Sequence, residues 1–295
     1  MTLASVLVTG ATGNVGTPVV DLLVAAGIPV CAAVGSVRGL SRLGNEESLL
    51  ARQISPAVLD VTDPTTRASA YAGIERMFLL RPPQLDKPKT QMLPALEAAK
   101  AAGVKHVVFL SLQGAEGNRF VPHAAIEAWL RASRLGWTFI RASFFMQNLT
   151  TTHLTDIRDR DEIVVPAGSG ATAFLDAADV GAVAAAALID PAKHHNRAWT
   201  ATGPEPLTYA EVAQILSLTL DRPIRYDEPG LLRYTYHARR RLGMTWGMVT
   251  VTSAIYTIAR LGHADGLTND VHEVTGRDPV SMADFAQRHT KIWSG

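Results

Sequence analysis

The stretch Val-Leu-Val-Thr-Gly-Ala-Thr-Gly-Asn-Val-Gly, residues 6–16, decides how this chain begins to fold. An apolar, valine-rich run over residues 4–9 is typical of a buried strand, and helical spacing of apolar residues follows over residues 14–26. A glycine turn joins the two. Such a turn directs several backbone N–H groups and the positive end of the helix dipole to one place, which suits a pyrophosphate. The stretch therefore predicts a dinucleotide-binding turn.

Each glycine of the turn has its own predicted task. Gly10 permits the sharp bend, Gly13 lets phosphates approach the backbone, and Gly16 lets the helix pack closely on the strand. The spacing G-x-x-G-x-x-G is one residue longer than the shorter dinucleotide fingerprint, so a purely structural turn is the alternative. The predicted cofactor-binding residues of the turn are Gly10, Thr12, Gly13, Asn14, Val15 and Gly16.

Composition narrows the class of protein. The 295 residues are 47% hydrophobic and 19% charged with a net charge of +1, so the chain can bury a large core and carries no general attraction for nucleic acid or anionic membrane. The single Cys31 excludes an intramolecular disulfide and lies in a predicted strand. We predict a cytoplasmic monomer or homodimer that binds neither nucleic acid nor membrane.

Two segments suggest other functions and are set aside. Residues 244–261 are apolar, but their Thr and Gly content predicts a helix that covers a pocket or a subunit neighbour rather than a membrane span. His194 and His195 have no Cys or carboxylate cluster at ligand spacing, so a surface loop is predicted there and no metal site.

Strand and helix patterns alternate along the chain, as a parallel sheet requires. The fold class is therefore α/β, a doubly wound parallel sheet (Rossmann) whose first strand lies near the middle and whose ligand crevice opens at the carboxyl ends of the strands. The predicted later strands span residues 29–34, 54–59, 76–80, 106–111 and 138–141, and the predicted helices include 89–102 and 126–133.

Residues that follow the strands are the candidate cofactor ligands. After the second strand no carboxylate is present to hold a ribose 2′-hydroxyl, and Ser36 and Arg38 suit a 2′-phosphate, so NADP(H) is favoured over NAD(H); the alternative is that Arg38 points to solvent. Asp60 is predicted to accept from the adenine amino group or only to cap its own turn. Further predicted cofactor-binding residues are Leu80, Arg81, Ser111 and His123.

The chain resembles the NmrA-like group of atypical short-chain dehydrogenase/reductases over nearly its whole length. The resemblance implies an NAD(P)-binding domain over residues 1–150, whose sheet is completed by part of 170–202, and an interleaved smaller, partly helical C-terminal lobe over 151–295 that forms the substrate cleft. The matching pieces are the glycine turn, Leu-Leu-Arg-Pro-Pro (79–83), the strand end at Ser111, His123 with Glu127, residues 140–149, Phe174-Leu-Asp-Ala-Ala-Asp-Val (174–180), Thr275-Gly-Arg-Asp-Pro-Val-Ser (275–281), Asp284-Phe and Trp293.

Capping patterns organise the predicted lobe. Asp179 is predicted to be the N-cap of an alanine-rich helix over 180–189. Thr208 with Glu211, and Ser281 with Asp284, have the spacing of capping boxes.

One departure from ordinary short-chain dehydrogenases bears on the chemistry. Those enzymes use Tyr-x-x-x-Lys, whereas none of the six tyrosines here is followed four residues later by lysine. His123 stands where the lysine would align. It is predicted either to bind the nicotinamide ribose and deliver a proton, as the one catalytic candidate, or to be a structural helix residue.

Without the tyrosine, the favoured reaction is hydride transfer to a conjugated or aromatic acceptor, such as a quinone, dye or imine, because such acceptors need positioning more than acid catalysis. An NADP-binding redox sensor that regulates a partner protein is the alternative, and a sugar-nucleotide epimerase ranks last. Met146 is predicted to be core. The predicted substrate-binding residues are Gln113, Phe144, Phe145 and Asn148.

Overall fold

The computed structural model describes residues 6–294, so Ala4 and Ser5 of the predicted first strand lie outside the described residues. The strands are β1 Val6–Thr9, β2 Val30–Val34, β3 Ile54–Val58, β4 Arg76–Leu80, β5 His106–Leu112, β6 Gly136–Ala142, β7 Phe144–Phe145, β8 Glu162–Val164, β9 Ala171–Leu175, β10 Arg197–Ala201, β11 Pro206–Thr208 and β12 Arg225–Asp227. The helices are α1 Gly16–Ala25, α2 Val37–Leu40, α3 Glu46–Ala51, α4 Arg67–Tyr71, α5 Pro88–Gln91, α6 Leu93–Ala101, α7 Pro122–Ala132, α8 Leu154–Arg160, α9 Ala177–Ile189, α10 Tyr209–Leu220, α11 Leu231–Arg240, α12 Trp246–Arg260, α13 Asp270–Thr275 and α14 Met282–Trp293.

The described chain divides into two units whose segments alternate in sequence. The first unit holds the residues through Ala142 together with Ala177–Ala201 and Asp270–Arg277. The second holds Ser143–Asp176, Thr202–Asn269 and the residues from Asp278 onward. That the first unit binds the cofactor and the second the substrate remains a prediction.

The first unit is built on a seven-stranded sheet in the order β10-β6-β5-β4-β1-β2-β3, with every neighbouring pair parallel. The order reverses at β1, as right-handed crossovers on both faces require. The predicted doubly wound sheet is therefore confirmed, and the predicted strands form with bounds shifted by at most two residues.

Apolar residues of the first unit fill the space on both faces of the sheet. On one face Leu7, Leu79, Phe109 and Phe139 join the helices α4, α6 and α7 in one cluster that also includes the buried Cys31. Each fully buried side chain of this size contributes roughly 1.5–3 kcal/mol relative to an exposed one. The carboxyl ends of the strands are thereby held in fixed register.

Helix α9 packs closely on α1 because its residues are small. Ten of its thirteen residues are buried, and most are Ala, Val or Gly. A Cβ atom added to Gly181 would lie 2.6 Å from the Cβ atom of Pro18, so no side chain fits at this crossing. The glycine therefore sets how closely the two helices approach.

Three predicted helix starts need correction. Asp179 is not an N-cap: α9 begins at Ala177, so Asp179 lies buried inside the first turn, because β9 ends at Leu175 and leaves only one residue before the helix. The predicted helix 89–102 forms as α5 and α6, since Pro94 in the first turn of α6 cannot continue α5. The predicted helix 126–133 begins earlier, at Pro122.

The predicted surface loop after Pro191 forms, with His195 exposed in it, but His194 within that loop is buried. His194 is only 2% exposed, its Nδ1 accepts a hydrogen bond from the Trp199 indole at 3.1 Å, and its carbonyl accepts one from Thr138 at 2.7 Å. Because β10 pairs with β6, the segment before β10 is drawn against the sheet. No group of three or more potential metal ligands lies within residues 6–294.

The second unit combines small sheets with helices around an aromatic core. Strands β11, β9 and β7 form one sheet, and β12 pairs with β8. Phe174, Tyr209, Tyr256 and Trp293 are buried in its core, and the Trp293 indole donates to the Leu149 carbonyl at 3.1 Å. Met146, predicted to be core, is 1% exposed.

Two predicted caps in the second unit are confirmed. Thr208 accepts from the Glu211 backbone N–H, and the Glu211 carboxylate accepts from the Thr208 backbone, which completes a capping box at the start of α10. Ser281 accepts from the Asp284 backbone N–H at the start of α14. Within the described chain, no helix has the length and apolar character that a membrane span requires, and the apolar segment 244–261 forms α12.

Candidate nucleotide site

The glycine turn between β1 and α1 admits no side chain at two of its three glycines. Gly10 has a φ of +61°, and a Cβ atom there would lie 2.3 Å from a methyl group of Leu80. A Cβ atom on Gly16 would lie 2.1 Å from the Gly10 carbonyl oxygen, so the helix can begin here only with glycine. The Gly13 N–H donates to the Gly10 carbonyl at 2.9 Å and closes the turn.

The N-terminus of α1 is open to a ligand. Its N-cap residue, Val15, supplies no side-chain hydrogen bond to the first turn, and Gly13 and Asn14 are exposed. Thr12 is half-buried, while the Thr17 hydroxyl is bound to the Ala11 carbonyl at 3.1 Å. Free backbone donors at a helix N-terminus, beside a glycine cradle too tight for side chains, fit the pyrophosphate of a dinucleotide.

The residues after β2 and β3 differ in how they are placed. Ser36 and Arg38 are exposed at the start of α2, next to the carboxyl end of β2. Asp60 is half-buried, and its carboxylate accepts from the backbone N–H of Thr62 at 2.9 Å and from the Thr62 hydroxyl at 2.7 Å. Asp60 thus caps its own turn through Oδ1, which is the simpler of its two predicted roles.

A cavity of about 200 Å³ lies beside the glycine turn in the first unit. Its charged residues are Asp21, Arg42 and Arg52, of which Arg52 forms an ion pair with Asp21. Arg42 was not among the predicted ligands. One hint was available in the sequence, because Arg42 follows Arg38 by four residues in the α2 region. The remaining lining residues are Ala11, Thr12, Thr17, Val20, Ala32, Leu43 and Ile54.

The residues at the end of β4 and after it stabilise the loop that follows this strand. Leu80 packs against Gly10. The Arg81 guanidinium donates from Nη1 to the carbonyls of Pro82, Pro83 and Leu85 at 3.1, 3.2 and 2.7 Å. Burial lowers the pKa of Arg81. This arginine therefore stiffens the proline-rich loop from within, whatever further contact it makes with a ligand.

His123 lies on α7 with its ring facing Arg81 and Phe109. The Arg81 Nε donates to the His123 Nε2 at 3.5 Å, and the ring centroid is 5.9 Å from that of Phe109. Burial, followed by the charge of Arg81, lowers the pKa of His123 to about 4, so the imidazole is neutral at pH 7. Its Nδ1 is buried without a hydrogen-bond partner among residues 6–294.

Ser111, at the carboxyl end of β5, is joined to a buried carboxylate. Its hydroxyl donates to Glu127 Oε1 at 2.7 Å. Arg141, the register partner of Ser111 on β6, donates to both oxygens of Glu127 at 3.1 and 2.8 Å, and Arg131 donates to Oε2 at 2.8 Å. Burial of Glu127 opposes ionisation, but the hydrogen bonds from Arg141 and Ser111 outweigh it and lower the pKa of Glu127.

Glu127 was not predicted as a site residue. Glu127 follows His123 by four residues and so shares a helical face with it, but its hydrogen-bond partners Ser111 and Arg141 come from β5 and β6, which only the folded sheet brings beside α7. The Arg141 guanidinium also lies 3.2 Å from Glu116 in the loop after β5. The network thus connects two strand ends, the helix and the loop.

The predicted substrate residues are divided between the two units. Gln113, in the first unit, is half-buried, and its N–H donates to the Ala142 carbonyl at 3.0 Å. In the second unit Phe144 packs edge-on against Phe174, with ring centroids 5.8 Å apart. Phe145 and Asn148 are half-buried, and the Asn148 carbonyl accepts from the His153 N–H at 2.9 Å.

Comparison with known proteins identifies the family. The family model for the NmrA-like family matches residues 3–230 of the chain. The chain belongs to the NmrA-like family. The NAD(P)H azoreductase of Xenophilus azovorans is a relative of 35% identity, over 96% of this chain and 97% of that protein.

Solved structures share the fold of this NmrA-like protein. The triphenylmethane reductase of Citrobacter sp., solved with NADP(H), superimposes with a TM-score of 0.81 at 24% identity, covering 97% of this chain and 99% of that one. The negative transcriptional regulator NmrA, solved with NAD, superimposes with a TM-score of 0.78 at 18% identity, covering 98% and 96%. Both the resemblance inferred from the motifs and the predicted Rossmann fold are therefore confirmed.

Proposed function

We propose that this NmrA-like protein uses NADPH, in preference to NADH, to pass hydride to a flat, conjugated acceptor such as a quinone, a dye or an iminium ion. Its class, an NAD(P)H-dependent reductase of the atypical short-chain dehydrogenase type, is confirmed by the azoreductase to which it is 35% identical. When bound, the reduced nicotinamide supplies the hydride, and the chain supplies position and environment.

The state of His123 carries the proposal for the acceptor. Reduction of a simple ketone creates an alkoxide that needs a proton, and His123 is the residue predicted from the sequence to give one. Its pKa of about 4 keeps the imidazole neutral at pH 7, so it holds no readily released proton. In this proposal the neutral ring donates a hydrogen bond from Nδ1 and does not act as the acid.

The preference for NADPH rests on charge near the ribose position. Ser36 and Arg38 are exposed after β2, and Arg42 lines the neighbouring cavity. A 2′-phosphate attracts arginine by charge-assisted hydrogen bonds, whereas a 2′-hydroxyl gains little from it. The proposal assigns the 2′-phosphate to Arg38 and Ser36.

The test compares two acceptors with the same ring skeleton, a cyclic iminium ion and the matching ketone, by following the oxidation of NADPH and NADH. We expect the iminium ion to be reduced about a hundredfold faster than the ketone, because general acid catalysis is worth at least that factor for the ketone. Reduction of the iminium ion should also be independent of pH between about 6 and 8, since His123 stays neutral there.

Equal rates for the two acceptors would contradict the proposed acceptor class. Tight binding of NADPH with no turnover of the iminium ion, a quinone or an azo dye would instead favour the predicted redox sensor. Faster turnover with NADH would contradict the cofactor preference and leave the acceptor class standing.

A further inference from the structure

The Glu127 carboxylate has no hydrogen-bonding capacity left. It is 1% exposed, ionised, and receives four donors: Ser111 and Arg141 Nε on Oε1, Arg141 Nη2 and Arg131 on Oε2. An ionised carboxylate offers about four lone-pair positions, so each is used. The Ser111 hydroxyl must be the donor in its pair, because an ionised carboxylate cannot donate.

The direction of that hydrogen bond determines what Ser111 can offer a ligand. A hydroxyl has one proton and two lone pairs. Only 3% of Ser111 is exposed, and with its proton on Glu127 it keeps only its acceptor positions, at the carboxyl end of β5 where the ligand crevice of this fold opens. A ligand N–H, such as that of a carboxamide, can donate to it, but a substrate oxyanion receives nothing from it.

We propose that Glu127 is a positioning residue that fixes Ser111 as a hydrogen-bond acceptor for the nicotinamide carboxamide and withdraws it as a proton donor to the substrate. The inference rests on the proposed function, because it concerns the same cofactor. A buried glutamate on α7 would thereby help the protein to discriminate against acceptors that require a proton.

The surroundings of Glu127 support a single orientation. Arg141 is anchored by bidentate contact with Glu127 and by Glu116, and its pKa is raised chiefly by the hydrogen bond to Glu127. Because Arg141 and Ser111 are register partners on adjacent strands, the sheet fixes the distance between them. Rotation of the Ser111 hydroxyl toward a ligand would leave a lone pair of a buried carboxylate unpaired, which is costly.

The experiment measures nucleotide affinity and catalysis separately in three variants. Wild-type protein, Ser111→Ala, Glu127→Gln and the double variant are titrated with NADPH by isothermal calorimetry and then assayed with the iminium ion at saturating NADPH. Ser133→Ala is the matched control, because the Ser133 hydroxyl is also buried and donates to the Leu130 carbonyl at 2.7 Å, at the C-terminal end of α7. Thermal unfolding confirms that each variant is folded.

We expect Ser111→Ala to weaken NADPH binding about fivefold, the effect of one lost neutral hydrogen bond, with kcat at saturation changed less than threefold. Glu127→Gln should weaken binding to a similar degree, and the double variant should be no weaker than either single one, because both changes remove the same interaction. Ser133→Ala should bind NADPH as the wild type does.

Several results would overturn the inference. A loss of about a hundredfold in kcat for Ser111→Ala with unchanged NADPH affinity would mean that Ser111 donates to the reacting substrate. Additive losses in the double variant would mean that Glu127 acts on the fold alone. If wild-type protein binds no NADPH, the proposed function fails and this inference fails with it; normal binding by Ser111→Ala refutes the inference alone.

Discussion

Arg38 is the residue on which cofactor choice depends most directly. It is exposed after β2 and follows the site where an NAD-selective protein carries an acid. We expect Arg38→Ala to weaken NADPH binding about tenfold, because a charge-assisted hydrogen bond to phosphate is lost, and to leave NADH binding unchanged. Titration of one preparation with both nucleotides supplies the control, and equal losses for the two would count against the assignment.

Buried histidines make the stability of the protein depend on pH. The pKa values of His106, His123 and His153 are each lowered to about 4, in every case chiefly by burial. Between pH 6.5 and 4 the unfolded chain therefore binds more protons than the folded one, so the stabilising contribution is complete above pH 6.5 and is lost as the pH falls toward 4.

The measurement is the urea concentration at half-unfolding at pH 7, 5.5 and 4.5. We expect it to fall steadily over this range, and His153→Gln to reduce the dependence on pH, whereas substitution of the exposed His263 should leave it unchanged. A midpoint that does not change with pH in the wild type would mean that the folded and unfolded chains take up protons over the same pH range, so that burial does not lower the pKa of these rings.

At the scale of elements, replacement of glycine by alanine should have opposite effects at the crossing of α1 and α9 and in the first turn of α12. Gly to Ala within a helix usually stabilises by about 1 kcal/mol. Gly247→Ala, in the first turn of α12 where the nearest atom is a hydroxyl 4.0 Å away, should be neutral or stabilising. Gly181→Ala should destabilise by about 1–3 kcal/mol, because its methyl group meets Pro18.

Urea unfolding of the two glycine variants checks this contrast. If Gly181→Ala were as stable as Gly247→Ala, the helices would have room to separate, and close approach would not be the reason for glycine at this crossing.

The sequence correctly predicted the elements that depend on residues close together in the chain. The glycine turn and the capping box of Thr208 with Glu211 each depend on residues a few positions apart, so the sequence displays them. The predicted start of α9 at Asp179 was wrong because the helix begins soon after β9 ends, and the spacing of residues does not show where that strand ends. The Glu127 network and the burial of His194 depend on strand pairing, which spacing alone does not reveal.

At the scale of the whole molecule, ligand binding and unfolding are linked. A dinucleotide that binds only the folded first unit should raise the thermal unfolding temperature, by an amount equivalent to about 2.7 kcal/mol at a hundred times its Kd. If the two units unfold in separate transitions, only one transition should move on addition of NADPH. Gly16→Val, whose side chain would meet the Gly10 carbonyl, should abolish the shift, and calorimetric scans measure it.

The sheet of the first unit has an implication for synthesis of the chain. Its edge strand β10 pairs with β6, and the Thr200 N–H donates to the Asp270 carboxylate at 2.6 Å. A ribosome must therefore release more than fifty residues beyond β6 before that strand can be covered, and over a hundred before Asp270 arrives. Until then the newly made chain leaves that edge of β6 unpaired, so we expect its tendency to aggregate to be raised during translation, before the protein is complete.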